Sequence, residues 1–307
     1  QGLLNSGASL HQVDGSPIEG STISELCLAS NNIDTVVLDA RSMGSGSNWW
    51  NSVFRNVKQR TGIDLSKQTI AVENRVDSTL GGLPVDEIGR VVIGSWSRWF
   101  TGLYAAGETS CSGFHGAGLL QGNSLLDSLV GGNSAGQHAG EWSNKSSLSG
   151  ASLIKQALET TIANHESMFS DNEEDGAVVR IGIVSDKLTE LANSFVNGDN
   201  DSSKYSQYLE SLEQLSILAE SIHLDQKSLI SNSNMLSMLQ TQAGIRLLTC
   251  AVQASLARNE SRGLHRRTDF PEKDEELLHH ITVDREGNTG TLALRKSETG
   301  NWVLTPQ

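Results

Sequence analysis

The 307-residue sequence predicts an α/β region, then a helical bundle, then a short tail containing β structure. Three observations carry this expectation. In roughly the first hundred residues, short β-branched runs alternate with glycine-rich breaks. From residue 151 to 257, apolar side chains recur at three- and four-residue intervals. From Thr289 to Val303 a strand-like pattern returns.

Taken in order, residues 1–30 are rich in Gly and Ser, with one helix expected from Ser21-Thr22, whose hydroxyls can cap Ile23-Ser24-Glu25-Leu26. Ile33 to Leu38 (IDTVVL) reads as a strand closed by Asp39-Ala40-Arg41. Trp49, Val53 and Val57 share a helical spacing and are expected in the core. Thr69 to Val76 reads as extended, Leu80-Gly81-Gly82-Leu83-Pro84 as a turn, and Arg90–Ile93 and Leu103–Ala106 as strands. These short strands with glycine corners suggest the edges of a larger sheet. Residues 151–170, 179–196, 203–223 and 234–257 are four helices, parted by polar breaks such as Asn197-Gly198-Asp199-Asn200-Asp201. Together they predict a bundle or a set of helical hairpins. Beyond Arg258 the chain is charged and irregular until the tail.

The composition excludes some functions. A net charge of −13 argues against nucleic acid as partner, because phosphate binding needs a basic face. The basic cluster Arg262, His265, Arg266 and Arg267 is short and is followed at once by Glu272, Asp274, Glu275 and Glu276, so internal ion pairing is its better reading. No apolar run is long enough to span a bilayer. Cys27, Cys111 and Cys250 are widely spaced and odd in number, which suggests free thiols in a reducing compartment. His279-His280 has no third ligand at a suitable spacing, so no metal site is expected.

The functional signal lies between Gly102 and Gly140: GLYAAGETSCSGFHGAGLLQGNSLLDSLVGGNSAGQHAG. Small residues crowd where a backbone must come close to something, and a buried helix is expected to open at Asn123-Ser124. This is how a protein cradles a large flat or anionic ligand, with free N–H groups and the helix dipole at the N-terminus.

Three segments in order carry a family resemblance. GLYAAGETSCSGFHGAGLLQGNSLLD resembles the segment of the succinate dehydrogenase/fumarate reductase flavoproteins that returns to the FAD domain after the capping domain. VDSTLGGLPVD is similar to that family's HYTMGGIPTD, and ESRGLHRRTDFPEKDEELLHH to its ESRGxHxRxDFPxRDD element. L-aspartate oxidase shares much of the pattern and is the near alternative.

The resemblance implies a partial capping (substrate) domain over 1–76 and the return segment of a Rossmann-like FAD-binding domain over 77–145. It further implies a helical domain over 146–258 and a tail segment over 259–307. It implies FAD as cofactor, contacted by Gly107, Glu108, Asn123, Ser124 and Leu125, with Glu108 on a ribityl or ribose hydroxyl. His115 takes the family's HGA position, a candidate substrate-binding residue that reads as a structural hydrogen-bonder before a catalytic base, and Arg75 is the other substrate-binding candidate. Iron–sulfur and membrane-anchor subunits are implied as partners, with a cytoplasmic location peripheral to the inner face of the membrane through them.

The departures from the family are informative. No GxGxxG pyrophosphate turn occurs in the sequence. The resemblance therefore implies a chain that starts inside the capping domain, with the N-terminal FAD half, about a third to a half of such a flavoprotein, absent or carried by a separate chain. Asp77 stands where the family has a substrate-clamping His, Leu119 where it has the Arg of HGANR, and Ser21 near the position of its proton-shuttling Arg. A guanidinium fork grips a carboxylate at two points, and leucine offers neither charge nor donor. An aspartate facing a carboxylate is repulsive by on the order of a few kcal/mol. Arg75 lies on the same strand face as Asp77, so it can pair with it or bind another anion. The expectation is a flavoprotein portion of this family that is inactive alone, against a non-catalytic, divergent scaffold or split half.

Overall fold

The computed structural model describes residues 2–20, 26, 29–30, 33, 35–43, 49–73, 79–93, 98–119, 122–147, 150–167, 179–222, 224, 228, 230–296 and 302–304. The chain divides into two compact units, residues 1–77 with 196–198, and residues 78–195 with 199–307. The helix expected from Ser21-Thr22 falls on residues outside the described set, as do Arg75 and Asp77.

In the first unit, strands β1 (Ser9–Gln12), β2 (Val36–Asp39) and β3 (Ile70–Val72) form an antiparallel sheet with β2 in the centre. After the one-turn helix α1 (Gly2–Asn5), the longer helix α2 (Asn51–Thr61) ends at Gly62, whose φ of 77° is the left-handed stop that closes many helices. Phe54 and Val57 of α2 pack with Leu3, Leu4, Leu38, Ile63 and Ile70 around buried Ala8, Ala40 and Leu65. Trp49 is not in that core: it is 82% exposed, just outside the helix. Its neighbour Trp50 turns inward instead, and its ring N–H donates to Ser6 Oγ at 3.0 Å.

Among the described residues the second unit begins with two small pairings rather than the edge of a larger sheet. Strands β5 (Arg90–Ile93) and β6 (Arg98–Tyr104) are antiparallel, whereas β4 (Leu83–Pro84) runs parallel to β7 (Ser110–Cys111). Leu83-Pro84, expected in a turn, is thus a strand. Helix α3 (Ser124–Lys145) lies over this region where glycines allow close approach, with Ala135 against Gly89 and Trp142 against Gly102. Tyr104 Oη and His138 Nδ1, 2.8 Å apart, tie β6 to the same helix face. The expected burial of α3 is not found. Ala135 is its one buried residue, while Leu125 and Leu129 are 69% and 63% exposed.

Helix α4 (Ala151–Ser167) is likewise exposed along Ala151–Ala163, including Leu153, Ile154, Leu158 and Ile162. The packed core belongs to α5 (Ile181–Asn197), α6 (Ser202–Glu220) and α7 (Ser233–Ala257). Asp201 caps α6 by accepting from the Lys204 N–H, and Asn232 caps α7 by accepting from Met235. The buried side of α6, Tyr205, Tyr208, Leu212, Leu215 and Ala219, follows the three-then-four spacing of one helix face. It meets Val184 of α5 and Met238, Ile245 and Val252 of α7. The tail forms an antiparallel meander of β8 (His279–Val283), β9 (Thr289–Lys296) and β10 (Trp302–Leu304), with β9 in the centre. The sequence reading missed β8, whose His279-His280 start carries no apolar alternation.

Leu212→Ala should therefore lower stability by about 2–5 kcal/mol, and Leu158→Ala on α4 should change it by less than about 0.5 kcal/mol. Urea midpoints of the two variants check the contrast.

Candidate functional site

Strand β6 runs out at Tyr104, and buried Ala105 leads into a 3-10 turn over Gly107–Thr109 that packs on α3. Gly107 adopts φ 68° and lies so close to α3 that a Cβ there would stand 2.7 Å from Ser128 Oγ. Both the conformation and the approach require glycine. Glu108, next in the chain, is exposed, yet its carboxylate is held in place. Oε1 accepts from the Thr79 backbone N–H at 2.8 Å and from Thr79 Oγ1 at 3.3 Å. Among the described residues nothing donates to Oε2.

The glycine loop then turns twice, with Gly116 N–H donating to the Gly113 carbonyl and Gly118 N–H to that of His115. His115 Nε2 lies 3.9 Å from Asp127 Oδ2 in the first turn of α3, with side chains 16% and 18% exposed. Phe114 meets the His115 ring edge-on at 5.1 Å. Leu119 is half-buried at the end of this loop. Asn123 occupies the N-cap of α3, and its side chain makes no cap hydrogen bond. Ser124 and Leu125 are exposed there.

A second cluster stands behind the loop. Glu260, fully buried, accepts at Oε1 from Arg258 Nη1 (2.6 Å) and Arg262 Nε (2.8 Å). Its Oε2 accepts from Arg262 Nη2 (3.0 Å) and the Asp274 N–H (2.9 Å). Burial pushes this carboxyl up, but the donors from Arg262, Asp274 and Arg258 outweigh it and bring it down to about 2. Arg267, 2% exposed, forks onto Asp269 at 2.9 and 2.7 Å and also donates to Ser202 Oγ and to the Leu256 and Arg258 carbonyls. Phe270 stacks beneath its guanidinium at 4.6 Å. Internal pairing thus holds for Arg262 and Arg267. Burial and the adjacent arginines depress His265, leaving it a poor base for protonation.

Of the site residues expected from sequence, Gly107 meets Ser128 of α3 and His115 lies beside Asp127, while Asn123, Ser124 and Leu125 form the N-terminus of that helix. Ser21, Arg75 and Asp77 are outside the described residues. Sequence reasoning missed Thr79 and Asp127. Thr79 gave no signal, because its partner is 29 residues away. Asp127 could have been found, since an acid in the first turn of a helix is favoured by the dipole. Among the described residues no group of three or more His, Cys, Asp or Glu side chains could hold a metal ion, and no helix is long and apolar enough to cross a membrane.

Two family models match this chain. Residues 33–125 match the FAD binding domain, and residues 187–306 match the fumarate reductase flavoprotein C-terminal region. That pair defines the class, a flavoprotein with an FAD-binding domain. A fumarate reductase flavoprotein subunit of Mycobacterium tuberculosis is 30% identical over 234 residues, covering 75% of this chain and 38% of the relative. A succinate dehydrogenase flavoprotein subunit of Rickettsia bellii is 29% identical over 241 residues, covering 76% of this chain and 40% of the relative. The fold is that of a quinol fumarate reductase chain from E. coli, with a TM-score of 0.78 at 20% identity over 100% of this chain and 56% of that one. The chain belongs to the succinate dehydrogenase/fumarate reductase flavoprotein family, whose cofactor is FAD. It spans about two fifths of the length of the curated relatives named here.

The Glu260 carboxyl sits below its ordinary value of 4.5, so its contribution is complete above that pH and is lost as pH falls toward about 2. Urea midpoints measured from pH 6 down to pH 2.5 should fall in the wild type, and Glu260→Gln should flatten that slope.

Proposed function

We propose that this chain supplies the part of an FAD site that closes over the flavin, within a flavoprotein of the succinate dehydrogenase/fumarate reductase type. The observation that carries the reading is the fixed Glu108 carboxylate in the Gly107 turn, which packs closely on α3 near its N-terminus. Oε2 of Glu108 suits a ribityl or ribose hydroxyl. The N-terminus of α3, with Ser124 and Leu125, suits the electron-rich edge and the apolar face of an isoalloxazine. The residues present fit FAD in kind, and bound FAD would supply hydride exchange with a succinate/fumarate C–C bond.

The substrate side is reduced. Leu119 cannot grip a carboxylate, and Asp77 would repel one, so the chain by itself is proposed to be inactive on dicarboxylates. His115 is proposed to order the loop through Asp127 rather than to act as a base. Arg75 remains the cation that could meet an anionic ligand. The exposed Leu125, Leu126, Leu129 and Val130 of α3 favour a further half of the flavin domain as partner. Iron–sulfur and membrane-anchor subunits, and a place at the membrane through them, complete the proposal. The second reading, a non-catalytic scaffold, is favoured by Leu119 itself.

Joined to a nucleotide-binding half, the wild-type chain should show little succinate-dependent dye reduction. Leu119→Arg with Asp77→His in that context should raise it about ten- to a hundredfold, the range of one or two restored charge-assisted hydrogen bonds. No rise with flavin bound would contradict the clamp assignment.

A further inference from the structure

The glycine loop is braced from outside. The Glu260 cluster ends in a tight hairpin in which Arg262 and His265 exchange both backbone hydrogen bonds, at 2.8 and 2.9 Å. Its two tip residues are Gly263 and Leu264. Gly263 has φ 57°, and Ser231 is the one non-glycine with positive φ among the described residues, so the tip is a type II′ turn with glycine first. That tip reaches the loop directly. The Leu264 N–H donates to the Ala117 carbonyl at 2.9 Å. A Cβ on Gly263 would stand 2.2 Å from that same oxygen and 2.7 Å from its carbon. Backbone therefore meets backbone, two residues after His115 and two before Leu119.

The hairpin itself is held hard. The fully buried Glu260 fixes its stem through Arg258 and Arg262, and Ser261 Oγ both donates to the Phe270 carbonyl (2.8 Å) and accepts from the Arg267 N–H (2.9 Å). Arg267 and Asp269 then anchor the base to Ser202 at the start of α6. A tip carried on such a base transmits position rather than absorbing it, because a buried, fully satisfied ion pair has few alternative geometries.

We infer that the hairpin tip Gly263-Leu264 is a positioning element for the glycine loop, setting where His115 and Leu119 stand through the Ala117 carbonyl. The inference rests on the flavin reading only for its consequence at the ligand; the brace is a property of the chain itself. Gly263→Ala would force the loop outward. Arg262→Lys keeps the charge but loses the fork on Glu260, loosening the stem without touching the loop.

Hydrogen exchange on the full chain tests this. In Gly263→Ala the amides of residues 113–119 and of Leu264 should exchange at least tenfold faster, and Arg262→Lys should shift them in the same direction. Gly287→Ala strains a glycine of φ 85° in the β8–β9 turn and should leave those amides unchanged. If Gly263→Ala does not fold, Arg262→Lys decides. Unchanged exchange at 113–119 in every folded variant overturns the inference, and so does equal acceleration by Gly287→Ala. A parallel titration with FAD, read by quenching of flavin fluorescence, separates the two readings. Failure of the wild type to quench FAD counts against the chain binding flavin alone and leaves the brace to the exchange result. Quenching by the wild type with an affinity at least fivefold changed in Gly263→Ala, and unchanged in Gly287→Ala, ties the brace to the ligand.

Discussion

Glu260 is the point on which the second unit turns. A carboxylate with no solvent contact is costly unless every lone-pair direction is satisfied, and here two guanidiniums and a backbone N–H supply four donors. That one residue fixes the exit of α7 through Arg258, the hairpin through Arg262 and the entry to the 3-10 turn before β8 through Asp274. Removing a single partner would leave charge buried without compensation, which is far more damaging than losing an exposed pair. Arg262 and Arg267 of the basic cluster that the sequence shows are thus turned inward onto carboxylates.

From this base the architecture leads to the glycine loop by backbone contacts. Small residues recur at each crossing: Gly263 under Ala117, Gly107 under Ser128, and Gly89 under Ala135. The chemistry of the loop follows from that closeness. Glu108 is fixed by a backbone donor from a segment nearly thirty residues earlier, and His115 is shielded beside Asp127.

The legible and illegible parts of the sequence separate on physical grounds. Helices α5 to α7 are legible because their apolar stripes are long, and Asp201 and Asn232 cap α6 and α7. Burial is less legible at α3 and α4, although both are helices as expected. A stripe reports that a face is apolar and says nothing of whether anything covers it, and Leu129 and Leu158 are exposed. Two-residue strands such as Leu83-Pro84 carry no period at all, and a Pro there reads as a turn until its parallel partner Ser110-Cys111 is known. The glycine loop itself was visible because glycine and acid stand together in a motif. Thr79, Asp127 and Ala117 were not, since each acquires its role from a residue distant in the chain or from packing.

The central claim is that Glu108 belongs to an FAD site. Calorimetric titration with FAD of the chain joined to a nucleotide-binding half, wild type against Glu108→Ala, addresses it most directly. The account predicts wild-type binding and a loss of affinity of about tenfold or more, the scale of a hydrogen bond to a charged group. Equal affinity in the two proteins would contradict it.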